Sequence, residues 1–307
     1  MTLNYKIIIV TLFLSIPILA YSFPQAKCIP EEKNFSACEI LATQGDNKAL
    51  LVLGRFYETG TGVEKNVEKA EQIYQLLADK NDADGFNQLA MLKQNHNKEQ
   101  EAILLYQRAI ELGSSSANYN LGILYKYNNN YKKAKEMFEI AIKKDHSSSA
   151  MMSLGDLYRH GNGVEQNIEL AKKWYNASIQ AGNYFAFTRL GILYSELEKY
   201  DEAIIYYQEA IKKGDPAAMN SMGLLYQHGF GVKRDISQSV KLYQDAANKD
   251  GIGGLINLGL MYEEGLGVPQ NYEKAIELYT RAYQLGYTDI QLRINFLNKH
   301  FINNNKN

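Results

Sequence analysis

Across 307 residues there are only two cysteines, five prolines, five histidines and one tryptophan. Two cysteines are too few for a disulfide-stapled small scaffold or a thiolate metal cluster, and so little proline leaves long stretches free to be helical. Charge of one sign is missing as well: 33 basic residues stand against 34 acidic ones. Nucleic-acid affinity depends on clustered Lys and Arg neutralising phosphates, so no nucleic acid is expected among the partners. The sequence contains no His-Glu-x-x-His, no Gly-x-Ser-x-Gly and no Ser-x-x-Lys, which removes the usual signatures of a zinc protease, an α/β-hydrolase and a serine β-lactamase. Glu31-Glu32 and Glu263-Glu264 are neighbours in sequence and read as solvated surface, not as a catalytic carboxylate pair. No catalytic residue, metal or cofactor is expected.

The apolar content, 46%, is enough for a large core and excludes a wholly disordered chain. One apolar run differs from the rest. In "MTLNYKIIIVTLFLSIPILAYS" a lysine, Lys6, precedes the run from Ile7 to Ala20, and small residues follow at Ala20 and Ser22. This is the three-part plan of a secretory signal, too short for a bilayer span and interrupted by Pro17. Cleavage after Ser22 leaves no stable membrane span; retention as an anchor is the alternative. Cys28 and Cys38 follow within "CIPEEKNFSAC". In an exported protein such a pair most simply closes a disulfide loop, whereas a metal site would need ligands this segment does not supply. The expected location is exported, periplasmic or secreted, in a bacterium of the Gram-negative type.

The stretch "HGNGVEQNIELAKKWY" places two glycines one residue apart before a helix-like segment, as phosphate-binding loops do. It recurs, however, as "TGTGVEKNVEKAEQIY", "HGFGVKRDISQSVKLY" and "EGLGVPQNYEKAIELY". A catalytic loop occurs once, whereas a structural corner repeats. Each copy follows a Leu-Gly or Met-Gly step. Taking the small residue of that step as an anchor gives Gly54, Ala90, Gly122, Gly155, Gly191, Gly223 and Gly259, spaced 32 to 36 residues apart. A period in this range is that of stacked supersecondary units.

Each unit reads as two helices. Ala150, Gly155 and Tyr158 share a face of the first, and Ala171 and Tyr175 a face of the second. The aromatic of the second helix is present seven times, as Tyr74, Tyr106, Phe138, Tyr175, Tyr207, Tyr243 and Tyr279, which marks core packing. Asn81, Gly113, Asp145, Gly182, Gly214, Asp250 and Gly286 fall where the second helix needs a left-handed residue to close. In the corner, Gly161 is expected to end the first helix, Val164 to turn inward and Asn167 to cap the second, with Asn66, Asp235 and Asn271 equivalent. His160 and His228 share one repeat position beside that glycine, where an imidazole suits a helix C-terminus better than it suggests a bridging metal.

The pattern small-x-x-x-Leu-Gly-x-x-Tyr-x-x-Gly-x-Gly-Val, then Asn or Asp, then Ala-x-x-x-Tyr, resembles Sel1-like repeats. The shorter units, such as "AFTRLGILYSELEKYDEAIIYY", resemble tetratricopeptide repeats. The second unit departs most, with Ala90 for glycine and Lys93 for tyrosine, and marks a loose place or a bend. The resemblance implies an all-α, right-handed α-solenoid of about seven helix-turn-helix repeats with N- and C-terminal capping helices. The expected organisation is a signal at 1–22, an N-terminal segment with the cysteine pair and a capping helix at 23–48, the solenoid at 49–286, and a capping helix with a polar tail at 287–307.

In proteins of this kind the first helices line the concave side. Three residues before and one after each anchor, the resemblance places Asn87, Met91, Tyr119, Ile123, Met152, Asp156, Thr188, Ile192, Asn220, Leu224, Ile256 and Leu260 there, an apolar set with amides and without lysine. A protein or peptide held on this strip is the expected partner; the alternative is that the coil buries the strip within itself. Non-enzymatic scaffolding is the implied function. Two alternatives stand beside it. One is a β-lactam hydrolase like the cysteine-rich secreted Sel1-like proteins, which carry a cysteine pair in every repeat as this chain does not. The other is a eukaryotic endoplasmic-reticulum adaptor, for which Asn34 and Asn176 match the glycosylation pattern.

Overall fold

A computed structural model describes Cys28 and residues 34–302. The signal reading at 1–22 and most of the polar tail lie outside the described residues. Among the described residues there are sixteen α-helices and no strand. They are α1 Phe35–Thr43, α2 Asn47–Thr59, α3 Val67–Asp79, α4 Ala83–Asn95, α5 Glu99–Glu111, α6 Ala117–Tyr127, α7 Tyr131–Asp145, α8 Ser148–His160, α9 Ile168–Gln180, α10 Phe185–Glu196, α11 Tyr200–Lys212, α12 Pro216–His228, α13 Ile236–Ala247, α14 Ile252–Glu264, α15 Tyr272–Gln284 and α16 Gln291–Leu297. The seven expected pairs are α2–α3 through α14–α15 in order. The chain divides into two compact units, the division falling after Leu92 within α4, in the repeat whose sequence departs most.

In the first unit, α1 is the lone helix expected before the repeats and packs on α2. Cys38, Val52 and Phe56 form its small core with Phe35 and Val63 at the margin. Cys28 and Cys38 are joined by a disulfide, which ties the chain ahead of α1 to that core. Asp46 caps α2 by accepting from the Lys48 and Ala49 amides, and Asn66 caps α3 through the Lys69 amide at 2.9 Å.

In the second unit, successive helices pack on one another from α5 through α15. First helices also touch first helices, α8 to α10, α10 to α12 and α12 to α14, while the second helices α7, α9, α11 and α13 each pack on the first helices to either side. The reason is visible at each anchor. A methyl built on Gly155 would stand 2.6 Å from the Tyr175 ring, and the same holds for Gly122 with Phe138, Gly191 with Tyr207, Gly223 with Tyr243 and Gly259 with Tyr279. Overpacking of this kind costs about 1–3 kcal/mol, more than the roughly 1 kcal/mol of helix propensity that alanine would return, so glycine is retained. The rings seated there are fully buried or nearly so, and the first helix is drawn close to its own second helix.

The glycine corner is a closed backbone device. Gly161, Gly229 and Gly265 cap their helices at φ of 71°, 78° and 68°. The amides of Asn167, Asp235 and Asn271 bond back to the carbonyls of Tyr158, Tyr226 and Tyr262. The side chains of the same residues then accept from the Leu170, Gln238 and Lys274 amides, capping the second helix as expected. The second glycine of each corner reaches backwards. A methyl on Gly163 would meet Tyr131 Cβ at 2.6 Å, one on Gly231 Tyr200 Cβ at 2.5 Å, and one on Gly267 the Ile236 side chain at 2.5 Å. Each of those residues opens the second helix of the preceding repeat.

One closing residue differs from expectation. Asn81, Gly113, Gly182, Gly214, Asp250 and Gly286 take positive φ, but Asp145 does not; the left-handed residue is His146, at φ 49°. Here α7 continues to 15 residues and Ser147 caps α8 directly through the Ala150 amide. At the C-terminal end the expected single capping helix is three pieces, a 3-10 turn Thr288–Ile290, α16, and a π turn Asn298–Ile302. Ile290, Ile294 and Leu297 still cover Ala275 and Tyr279, and Phe301 stacks on Tyr272 with centroids 4.1 Å apart.

Candidate functional site

The row of first helices in the second unit is the extended surface the repeats build together. Its polar chemistry follows one column, the residue four after each anchor, which faces the phenol of the same repeat. Tyr106 donates to Gln94 at 3.0 Å, Tyr243 to Gln227 at 2.7 Å and Tyr279 to Glu263 at 2.9 Å, and Tyr207 pairs with Ser195 at 3.1 Å. In the first unit Tyr74 donates to Glu58 at 2.9 Å. A buried hydroxyl needs an acceptor, and this column supplies it. Burial raises all these phenols above their ordinary range, Tyr243 to about 12, with Glu58 and Glu263 adding to the effect on Tyr74 and Tyr279.

The third and fourth repeats break the column with Lys126 and Arg159. The third carries Phe138, which has no hydroxyl to satisfy. In the fourth, Tyr175 turns instead to Asp156, one after the anchor, at 2.8 Å. Arg159 grips Glu196 of the next repeat through two bonds of 2.8 and 2.6 Å. Asp156 also stands 3.7 Å from Lys126 Nζ and 3.5 Å from Arg189 Nε. Cations therefore enter the row at positions other than the twelve expected ones, and the row is not lysine-free.

Of those twelve, only Leu224 is exposed, at 36%. Asp156 and Thr188 are buried, Thr188 bonding to Asp215 at the start of α12. Tyr119 packs on Phe138, Met152 takes a contact from the Asn183 amide at 3.8 Å, and Asn220 accepts from Asn257 at 2.7 Å. Ile123, Ile192, Ile256 and Leu260 are half-buried against the repeat cores. In the first unit, Asn87 is buried beside a half-exposed Met91. Exposure along the strip is limited where the following repeat reaches over it, by Asn183 at Met152, Asp215 at Thr188 and Asn257 at Asn220. Arg159, Arg189, Glu196 and Lys126 were missed, although reading the fourth residue after each anchor down the repeats singles out Lys126 and Arg159.

Two surface recesses lie elsewhere, one along α3 beside Glu68, Gln72, Leu76 and Asp79, the other at the corner by Tyr226, Lys233 and Arg234. Among the described residues no group of three or more His, Cys, Asp or Glu is placed to hold a metal ion, and no helix is long and apolar enough to cross a membrane.

Solved structures share the fold. A Sel1 repeat protein from Oxalobacter formigenes matches at a TM-score of 0.54 and 23% identity, over 89% of this chain and 83% of its own. The protective antigen c5321 of uropathogenic Escherichia coli, with an SLR fold, matches at 0.52 and 24% over 87% and 60%. Yeast Tom70 matches at 0.65 and 16% over 90% and 60%. In sequence, the ERAD-associated E3 ubiquitin-protein ligase component HRD3 of Candida glabrata is 36% identical over 66 residues, which are 22% of this chain and only 8% of that protein. Tetratricopeptide repeats match residues 115–143 and 186–212, two of the three short-cornered units. With Sel1 repeats matched at 47–82, 86–114, 148–183, 216–251 and 253–287, more than half of its length, the chain belongs to the Sel1 repeat family.

Proposed function

We propose that this protein is an exported, non-enzymatic scaffold that holds a protein or peptide partner on the face formed by its first helices. The observation that carries the reading is how the repeats divide their residues. The alanine, glycine and tyrosine that pack one helix on another recur, while the residues beside the anchor that keep surface in solvent change from repeat to repeat, from half-buried Met152, Ile192, Asn220 and Ile256 to exposed Leu224. A constant frame with a variable face is what a binding surface needs. The Cys28–Cys38 disulfide supports an oxidising compartment.

Leu224 is the member of the face free to meet a partner without disturbing the core. Wild-type protein and Leu224→Glu, used as baits against an envelope and secreted fraction with mass-spectrometric identification, test the reading. A partner retained by the wild type and lost by the variant, at unchanged helical content, is the expected result. Equal capture by both overturns the assignment of the face. The HRD3 similarity favours a second reading, an endoplasmic-reticulum adaptor; a glycan on the exposed Asn34 or Asn176 would select it.

A further inference from the structure

The first-helix row of the second unit breaks its own rule at one place, and the residues there do more than hold repeats together. Arg159 is fully engaged with Glu196, but Lys126 and Arg189 are not engaged in this way. Both lean on the single carboxylate of Asp156, Lys126 Nζ at 3.7 Å from one oxygen and Arg189 Nε at 3.5 Å from the other. That second oxygen already accepts the Tyr175 hydroxyl at 2.8 Å. Arg189 Nε is buried and makes no hydrogen bond. Loose pairs of this geometry add little to stability, yet they place one surplus positive charge on the face. The two side chains keep 34% and 40% of their surface in solvent, while Asp156 keeps 11%. Three successive first helices, α6, α8 and α10, therefore present a planar guanidinium and an ammonium on either side of a recessed carboxylate.

We propose that Lys126 and Arg189 form a recognition site for the acidic side chains of a partner polypeptide, with Asp156 holding the place of the incoming carboxylate. The inference rests on the first-helix row being the partner face. A guanidinium offers paired donors that match a carboxylate's two oxygens, and an ammonium adds a point charge. Asp156 answers only part of that capacity, because its own oxygen is committed to Tyr175. An external carboxylate meets the solvent-exposed parts of both side chains and neutralises the surplus charge.

The test uses the mature protein and a fluorescent hexaglutamate peptide, blocked at both ends so that only side-chain carboxylates are read. Hexaglutamine is the neutral control and a short single-stranded oligonucleotide the competing polyanion. The expected result is binding of hexaglutamate and not of hexaglutamine, weakened about tenfold by Arg189→Gln and by Lys126→Gln. Asp156→Asn still accepts from Tyr175 but frees both cations, and is expected to tighten binding severalfold; a variant that merely loosens the fold does the opposite. Affinity indifferent to both cation variants, weaker binding by Asp156→Asn, or tighter binding of the oligonucleotide than of the peptide overturns the proposal. Loss of hexaglutamate binding beside intact Leu224-dependent capture removes this site and leaves the scaffold reading; the reverse removes the scaffold reading as stated.

Discussion

Raising the pH above 10 should unravel the repeats from within, because the core is built on phenols. In the second unit Tyr106, Tyr175, Tyr207, Tyr243 and Tyr279 are all buried, and burial raises each of them, Tyr243 to about 12. The folded chain thus keeps protons that the unfolded chain releases near pH 10. Above that point the unfolded state binds fewer protons, so the stabilisation is whole below pH 10 and is lost as the pH climbs toward the folded values. At pH 11 each phenol held well above that pH withdraws about 1.4 kcal/mol, and Tyr106, Tyr175, Tyr243 and Tyr279 together about 6 kcal/mol, with Tyr207 acting in the same direction; the sum is comparable with the roughly 5–15 kcal/mol that holds an entire domain. Far-ultraviolet circular dichroism and tyrosinate absorbance, followed together from about pH 9 to 12, read the process. Helix loss should coincide with a late group of tyrosines ionising together, after the exposed ones among the 23. If every tyrosine ionises near its ordinary value while the helices persist, the phenols are not the buried pillars described.

Two further outcomes are expected. Reducing the Cys28–Cys38 disulfide, which closes a ten-residue separation, should cost the first unit about 2–3 kcal/mol in the chain-entropy account; proteolysis of α1 and α2 after reduction measures it, and unchanged protection counts against the staple. Phe138→Tyr installs the residue found at the other six positions, yet its hydroxyl would meet Lys126, which can donate to the phenol oxygen but cannot accept its proton. A loss of about 1–3 kcal/mol is expected, relieved when Lys126→Gln is added, and thermal melts of both variants decide it.

The frame of this fold is written locally and the face is not. Gly155 and Tyr175, or Asn167 with the corner glycines, act within one repeat, and their recurrence makes them readable one repeat at a time. Asp145 was misplaced by one residue because a left-handed closure falls on whichever neighbour ends the helix, and His146 accepts it as well as aspartate does. Exposure along the strip is harder to read for a different reason. Whether Thr188 is exposed depends on Asp215, and whether Asn220 is exposed depends on Asn257, each a repeat away. The Arg159–Glu196 and Asp156–Arg189 pairs are likewise set by how repeats stack, which no single repeat encodes.

The backward reach of the corner glycines bears on how such a chain can grow or shrink over generations. Gly163, Gly231 and Gly267 close on Tyr131, Tyr200 and Ile236 of the repeat before them, so the piece that fits together is offset from the piece that recurs in sequence. A duplication cut at the repeat boundary would set a glycine corner against a helix start it was not shaped for. One cut after the corner, at the start of a second helix, would carry the corner's seat along with the corner. Copying in that frame is the route by which long-cornered and short-cornered repeats can alternate in one gene without a misfitted joint, and the junctions of lineage-specific insertions should fall just after a corner, at the start of a second helix, more often than between one pair and the next.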